Sequence, residues 1–142
     1  MERRSALLTL MLACLGGAAL AQSNADKRSP VAIKGYDPVA YFVEGRPVKG
    51  LESISHEFDE SRYLFSSDKN RALFAANPEK YLPQFAALCA AGLADGRRVQ
   101  PDPTAFVVHG GKLYLFEAQR GVERVKKDPS LITKAHAHYD KK

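Results

Sequence analysis

The sequence predicts an α+β domain: a small antiparallel sheet built from hairpins, with several short helices packed on it. Three observations carry that expectation. Two pairs of strand-like segments, each carrying at least one aromatic residue, 55–58 with 62–65 and 105–108 with 112–116, are each joined by a few turn-forming residues. The segments after each pair carry helix start and stop signals at Ser66-Ser67-Asp68, Asn77-Pro78 and Asp128-Pro129. No strand-helix-strand alternation supports a parallel sheet.

Ordered structure is expected to begin at Val31-Ala32-Ile33, and Gly35-Tyr36-Asp37-Pro38 is turn chemistry. Val39-Ala40-Tyr41-Phe42-Val43 is apolar and β-rich and is expected as a strand, closed by the turn Glu44-Gly45-Arg46-Pro47. The first hairpin turns at Asp59-Glu60-Ser61. Ser66 or Ser67 then caps a helix over Asp68–Ala76, with Asp68 favourable at its N-terminus. Asn77-Pro78 stops that helix and starts a short one over Glu79–Leu82. Phe85 to Ala94 is small and apolar and is expected as a buried helix around Cys89, ended by Gly96. After a loop from Arg97 to Pro103, the second hairpin turns at His109-Gly110-Gly111, where two glycines suit a tight primed turn. Val122 and Val125 lie three apart on a basic helix, and a last helix runs from Asp128-Pro129 to about Tyr139. No internal repeat and no low-complexity segment is evident.

The start of the chain reads as a signal for export. Arg3 and Arg4 precede an apolar run from Ala6 to Leu20, and Ala19-Leu20-Ala21 is a small-x-small cleavage pattern. Residues 1–21 are therefore expected to be a cleaved signal peptide, 22–30 a flexible leader and 31–140 a single domain that is periplasmic or secreted. Met11-Leu12-Ala13-Cys14 is the alternative, a lipoprotein cleavage box. After cleavage Cys89 is the sole cysteine of the chain and has no internal disulfide partner. The apolar run of about 15 residues is shorter than the roughly 20 a membrane span needs, so no span is expected in the mature protein. Residues 22–118 carry 12 basic and 12 acidic side chains, and residues 119–142 carry seven and three. That mildly basic tail, with no cluster of basic and aromatic residues interleaved, is not a nucleic-acid footprint.

Gly35-Tyr36-Asp37-Pro38-Val39-Ala40-Tyr41-Phe42, Tyr63-Leu64-Phe65-Ser66-Ser67, Asn77-Pro78-Glu79-Lys80-Tyr81-Leu82-Pro83, Cys89-Ala90, Asp102-Pro103 and Gly111-Lys112-Leu113-Tyr114-Leu115 follow in an order that resembles exported bacterial YHS domain-containing proteins. The resemblance covers roughly residues 31–140 and implies a YHS-like fold. The wider YHS group is similar to small modules that bind heavy metals through cysteines. The positions matching those thiolates here are Ala40, Ser66 and Asn70. Exported relatives have a Tyr-Gly-Gly-Tyr-Cys-Ala segment, which matches Phe85-Ala86-Ala87-Leu88-Cys89-Ala90 at the cysteine. Relatives with selenocysteine imply redox or metal chemistry for the family.

The candidate site residues follow from donor chemistry. Cys89 is the one soft ligand and nucleophile, among Ala and Leu neighbours that equally suit a packed hydrophobe. His136 and His138 can ligate copper or zinc from an extended segment but point about 200° apart on a helix. His56 alternates with Phe58 on a strand and is the fourth metal candidate. Asp37 suits an Asx turn or a ligand, and Tyr36 sits beside it. The expected function is metal binding, of copper or zinc, or small-ligand binding without turnover. The alternatives are a thiol-redox protein using Cys89 and a non-catalytic protein-interaction module.

Overall fold

A computed structural model describes residues 28–141. The expected signal peptide, 1–21, and most of the leader lie outside the described residues. The fold is α+β, with two separate two-stranded antiparallel sheets rather than one. No helix among the described residues is long and apolar enough to cross a membrane.

The first helix is a single turn, α1 (Ala40–Val43). Strands β1 (Leu51–Phe58) and β2 (Ser61–Phe65) form the first hairpin, followed by α2 (Asp68–Ala76) and α3 (Pro78–Tyr81). Then α4 (Ala90–Ala94) precedes the second hairpin, β3 (Asp102–His109) and β4 (Lys112–Phe116). The chain ends with α5 (Gln119–Lys127) and α6 (Ser130–Tyr139).

These elements form two structural repeats. Every paired position of the second hairpin, from Asp102 with Phe116 to His109 with Lys112, lies 51 residues after its counterpart in the first. The register shift falls at the same place in both, between Leu51 and Ser55 and between Asp102 and Phe106. Each hairpin turns through two residues of positive φ: Asp59 and Glu60 in one, Gly110 and Gly111 in the other. Each is followed by a nine-residue helix and then Asn-Pro or Asp-Pro. Each is preceded by a left-handed turn, with φ of 51°, 50° and 84° at Ile33-Lys34-Gly35 and 61°, 50° and 60° at Phe85-Ala86-Ala87. Val31 bridges Arg62 and Pro83 bridges Leu113 in the same parallel sense. The repeat escaped the sequence reading because identity between aligned positions is sparse: Tyr-Leu-Phe (63–65 and 114–116), Val48 with Val99, and the proline after α2 and α5.

Two further expectations are corrected. Residues 39–43 are not a strand. The Asp37 carboxylate accepts from the amides of Val39 (2.8 Å) and Ala40 (3.3 Å), which caps α1 and overrides the β propensity of the segment. The helix around Cys89 does not begin at Phe85. Phe85-Ala86-Ala87 are left-handed, and Leu88 and Cys89 are extended, so the helix starts at Ala90. Left-handed backbone costs a non-glycine residue roughly 1 kcal/mol.

Each half has its own core. Tyr63, Phe65, Phe74 and Tyr81 dominate the first, and Phe85, Leu93, Tyr114, Phe116 and Val122 the second. Strand β4 joins them, since Leu113 and Leu115 on its other face pack into the first core. The Tyr41 hydroxyl adds a 2.7 Å bond to the Pro103 carbonyl across the halves.

Candidate functional site

The equivalent capping positions of the two repeats hold Asp37 and Cys89. Their amides donate to Val48 O (2.8 Å) and Val99 O (3.0 Å), 51 residues apart, so the backbone places both side chains alike. Both are buried, Asp37 fully and Cys89 to within 1%.

Asp37 is saturated. Its Oδ1 takes the Val39 and Ala40 amides. Its Oδ2 takes the Ser66 amide (2.9 Å), the Ser66 hydroxyl (2.7 Å) and Asn70 Nδ2 (2.8 Å). Ser66 and Asn70 come together, with 3.4 Å between Oγ and Nδ2. Their neutral side chains donate to a carboxylate. Tyr36, next in the chain, is half-buried beneath Lys49 Nζ, 4.5 Å from its ring centre, and does not join the network.

Cys89 retains two equivalents of those donors. The Gly92 amide, matching that of Ala40, lies 3.3 Å from Sγ, and the Glu117 amide, matching that of Ser66, lies 3.1 Å away. The side-chain donors are absent: Ser66 corresponds to Glu117 and Asn70 to Gly121. Where Asn70 fills the first half, Gly121 leaves an opening of about 30 Å³ beside Cys89. A Cβ at Gly121 would lie 3.0 Å from Phe116 and 3.3 Å from Ala91, so α5 approaches α4 closely. Arg97, Arg120 and Arg124 line the opening. Arg124 forks onto Asp95 at 2.8 and 2.9 Å. That bond first, with smaller contributions from the Asp95 and Cys89 charges, raises its pKa.

The expected metal donors are not gathered. His56 lies on β1 with its ring 5.9 Å from that of Phe74. His136 and His138 sit on α6 and face different partners. His136 Nε2 meets the Tyr114 hydroxyl at 3.3 Å, and His138 Nδ1 donates to the Leu93 carbonyl at 2.7 Å. Among the described residues no three His, Cys, Asp or Glu side chains form a group able to hold a metal ion. The side chains present therefore do not fit a copper or zinc centre built on Cys89. Sequence reading gave Cys89 and Asp37 but missed Gly121, Glu117 and Gly92, whose signal is visible only once the halves are aligned. Comparison with protein families, curated proteins and solved structures finds no match.

Proposed function

We propose that the protein is an exported YHS-like thiol-redox module whose reacting group is Cys89. The observation that supports this is the shared cradle: two backbone amides aim at Sγ from the positions that hold the Asp37 carboxylate in the first half. The two amides donate to sulfur and fix its position beside the opening, and the thiolate is the reacting form of a cysteine. An opening of about 30 Å³ has room for one water-sized group, so the substrate presents a single atom to sulfur. A peroxide oxygen meets that limit. The thiolate attacks it, the S–O bond forms, the O–O bond breaks, and the leaving hydroxide or alkoxide takes a proton from water. The resulting sulfenic acid condenses with an external small thiol, releasing water and leaving a mixed disulfide, which a second thiol reduces. An external thiol is needed because the mature chain has no second cysteine.

The test uses mature protein, residues 22–142, whose one sulfur atom is that of Cys89, because both methionines lie within residues 1–21. Hydrogen peroxide in slight excess should add one oxygen, about 16 Da by intact mass, and added small thiol should convert the product to a mixed disulfide. Cys89→Ser should gain nothing. The expected rate at pH 7 is at least tenfold that of free cysteine. A rate equal to free cysteine or below it would defeat the proposal.

A further inference from the structure

Tyr63 and Tyr114 are equivalent positions of the two hairpins. In the second half α6 brings His136 to the Tyr114 hydroxyl. In the first half α3 is a single turn, and the chain becomes extended at Leu82-Pro83, so no helix reaches Tyr63 in that way. Tyr63 is only 8% exposed, its ring lies 4.8 Å from that of Phe74, and among the described residues its hydroxyl has no hydrogen-bond partner. The ring is buried while the hydroxyl oxygen is open to solvent, so it is free to bond water or a ligand.

An open cleft of about 520 Å³ adjoins this tyrosine. That is in the range of small-molecule sites, and it lies where the left-handed turns of the two halves meet. Its walls include Val31, Ile33, Leu82 and Pro83, and Asp59 is the one charged side chain among the described residues lining it. It shares no lining residue with the opening beside Cys89.

We propose that this cleft binds a small cationic nitrogen heterocycle, which places a ring nitrogen against the Tyr63 hydroxyl as His136 does against Tyr114, and a charged amine near Asp59. The apolar walls suit the planar ring. Burial first, and the Asp59 charge second, push the Tyr63 pKa above its ordinary value, which keeps the hydroxyl protonated as a donor. Asp59 is exposed, so its charge selects among ligands more than it adds affinity.

The probe is histamine, titrated into isotope-labelled mature protein and followed by amide chemical shifts, with imidazole as the fragment lacking the amine. Saturable shifts should centre on Asp59, Ser61, Tyr63, Leu82 and Gln100. Tyr63→Phe, which keeps the ring on Phe74, should weaken binding about tenfold, and Asp59→Asn about threefold. Imidazole should bind more weakly than histamine, and Cys89→Ser should bind as wild type. The proposal is overturned by an absence of saturation at tens of millimolar, by shifts centred elsewhere, by unchanged affinity in Tyr63→Phe, or by contacts that seat leader residues 22–29 in the cleft.

Discussion

Replacing Asp37 by asparagine exchanges one oxygen for an NH₂ group, yet it should rank among the most damaging single substitutions in the chain. The carboxylate accepts five hydrogen bonds, three of them from backbone amides. The Ser66 hydroxyl can rotate, and Asn70 can turn its amide, so both adapt to an NH₂ group. The backbone amides cannot. With its remaining oxygen toward Val39 and Ala40, the substituted side chain points NH₂ at the Ser66 amide; turned over, it points NH₂ at the other two. Either way at least one buried amide is orphaned, at about 1–3 kcal/mol, and each remaining bond loses its charge assistance. The expected cost is about 3 kcal/mol, and about 5 kcal/mol for Asp37→Ala, which orphans all three amides. Urea unfolding of mature protein followed by circular dichroism measures both. A loss below about 1 kcal/mol for Asp37→Asn, with native spectra, would refute the view that this cap organises the first half.

Gly50 tests the join between the left-handed turn and the hairpin. A Cβ there would meet the Leu64 Cβ and carbonyl oxygen at 2.6 Å, and backbone cannot move aside cheaply, so Gly50→Ala should lower stability by about 3 kcal/mol or more by the same assay. Arg124→Ala should cost under about 1 kcal/mol at pH 7, because its partner Asp95 is exposed. Its hydrogen bond to Arg124 holds the Asp95 carboxyl below the usual carboxylate range. The pair therefore stabilises fully above the unfolded-state value of about 4 and fades as pH falls through the lower folded-state value, so variant and wild type should converge in acid. A difference that persists at pH 2 would count against the pairing.

The parts of the fold readable in advance were those governed by local rules. Ser67 caps α2 through the Asn70 amide at 3.1 Å, Gly110-Gly111 take the positive φ of a primed turn, and Asn77-Pro78 and Asp128-Pro129 divide helices. The errors came where a distant group decided the backbone. Val39–Val43 reads as a strand by composition but is helical under Asp37, whose carboxylate is itself fixed by Ser66 and Asn70 from β2 and α2. Phe85-Ala86-Ala87 has no glycine to announce a left-handed turn. Asp59-Glu60 makes the same turn as Gly110-Gly111 with neither residue being glycine, which hides the correspondence between hairpins. Cys89 was legible as a candidate, while its surroundings were not, because Gly92 and Glu117 act through backbone amides that any residue would supply.

The two caps show one scaffold holding two different side chains, Asp37 and Cys89, at an equivalent buried position. Asp37 has its acceptor capacity taken by five protein donors, with no donor left for a substrate to replace, so it can only hold structure. Cys89 keeps the two amides the backbone must provide and lacks the two side-chain donors, and the room left by Gly121 lies against sulfur. Loss of donors weakens a cap, and sulfur is a poorer acceptor than carboxylate, so the second half is the less securely fastened of the two. Packing accounts for part of that arrangement, since a Cβ at Gly121 would lie 3.0 Å from Phe116 and 3.3 Å from Ala91, which leaves no place for an asparagine. The proposed chemistry uses the rest, a sulfur atom beside an opening sized for a small electrophile. The first half then supplies rigidity, and the second gives up part of that rigidity to leave a sulfur atom available.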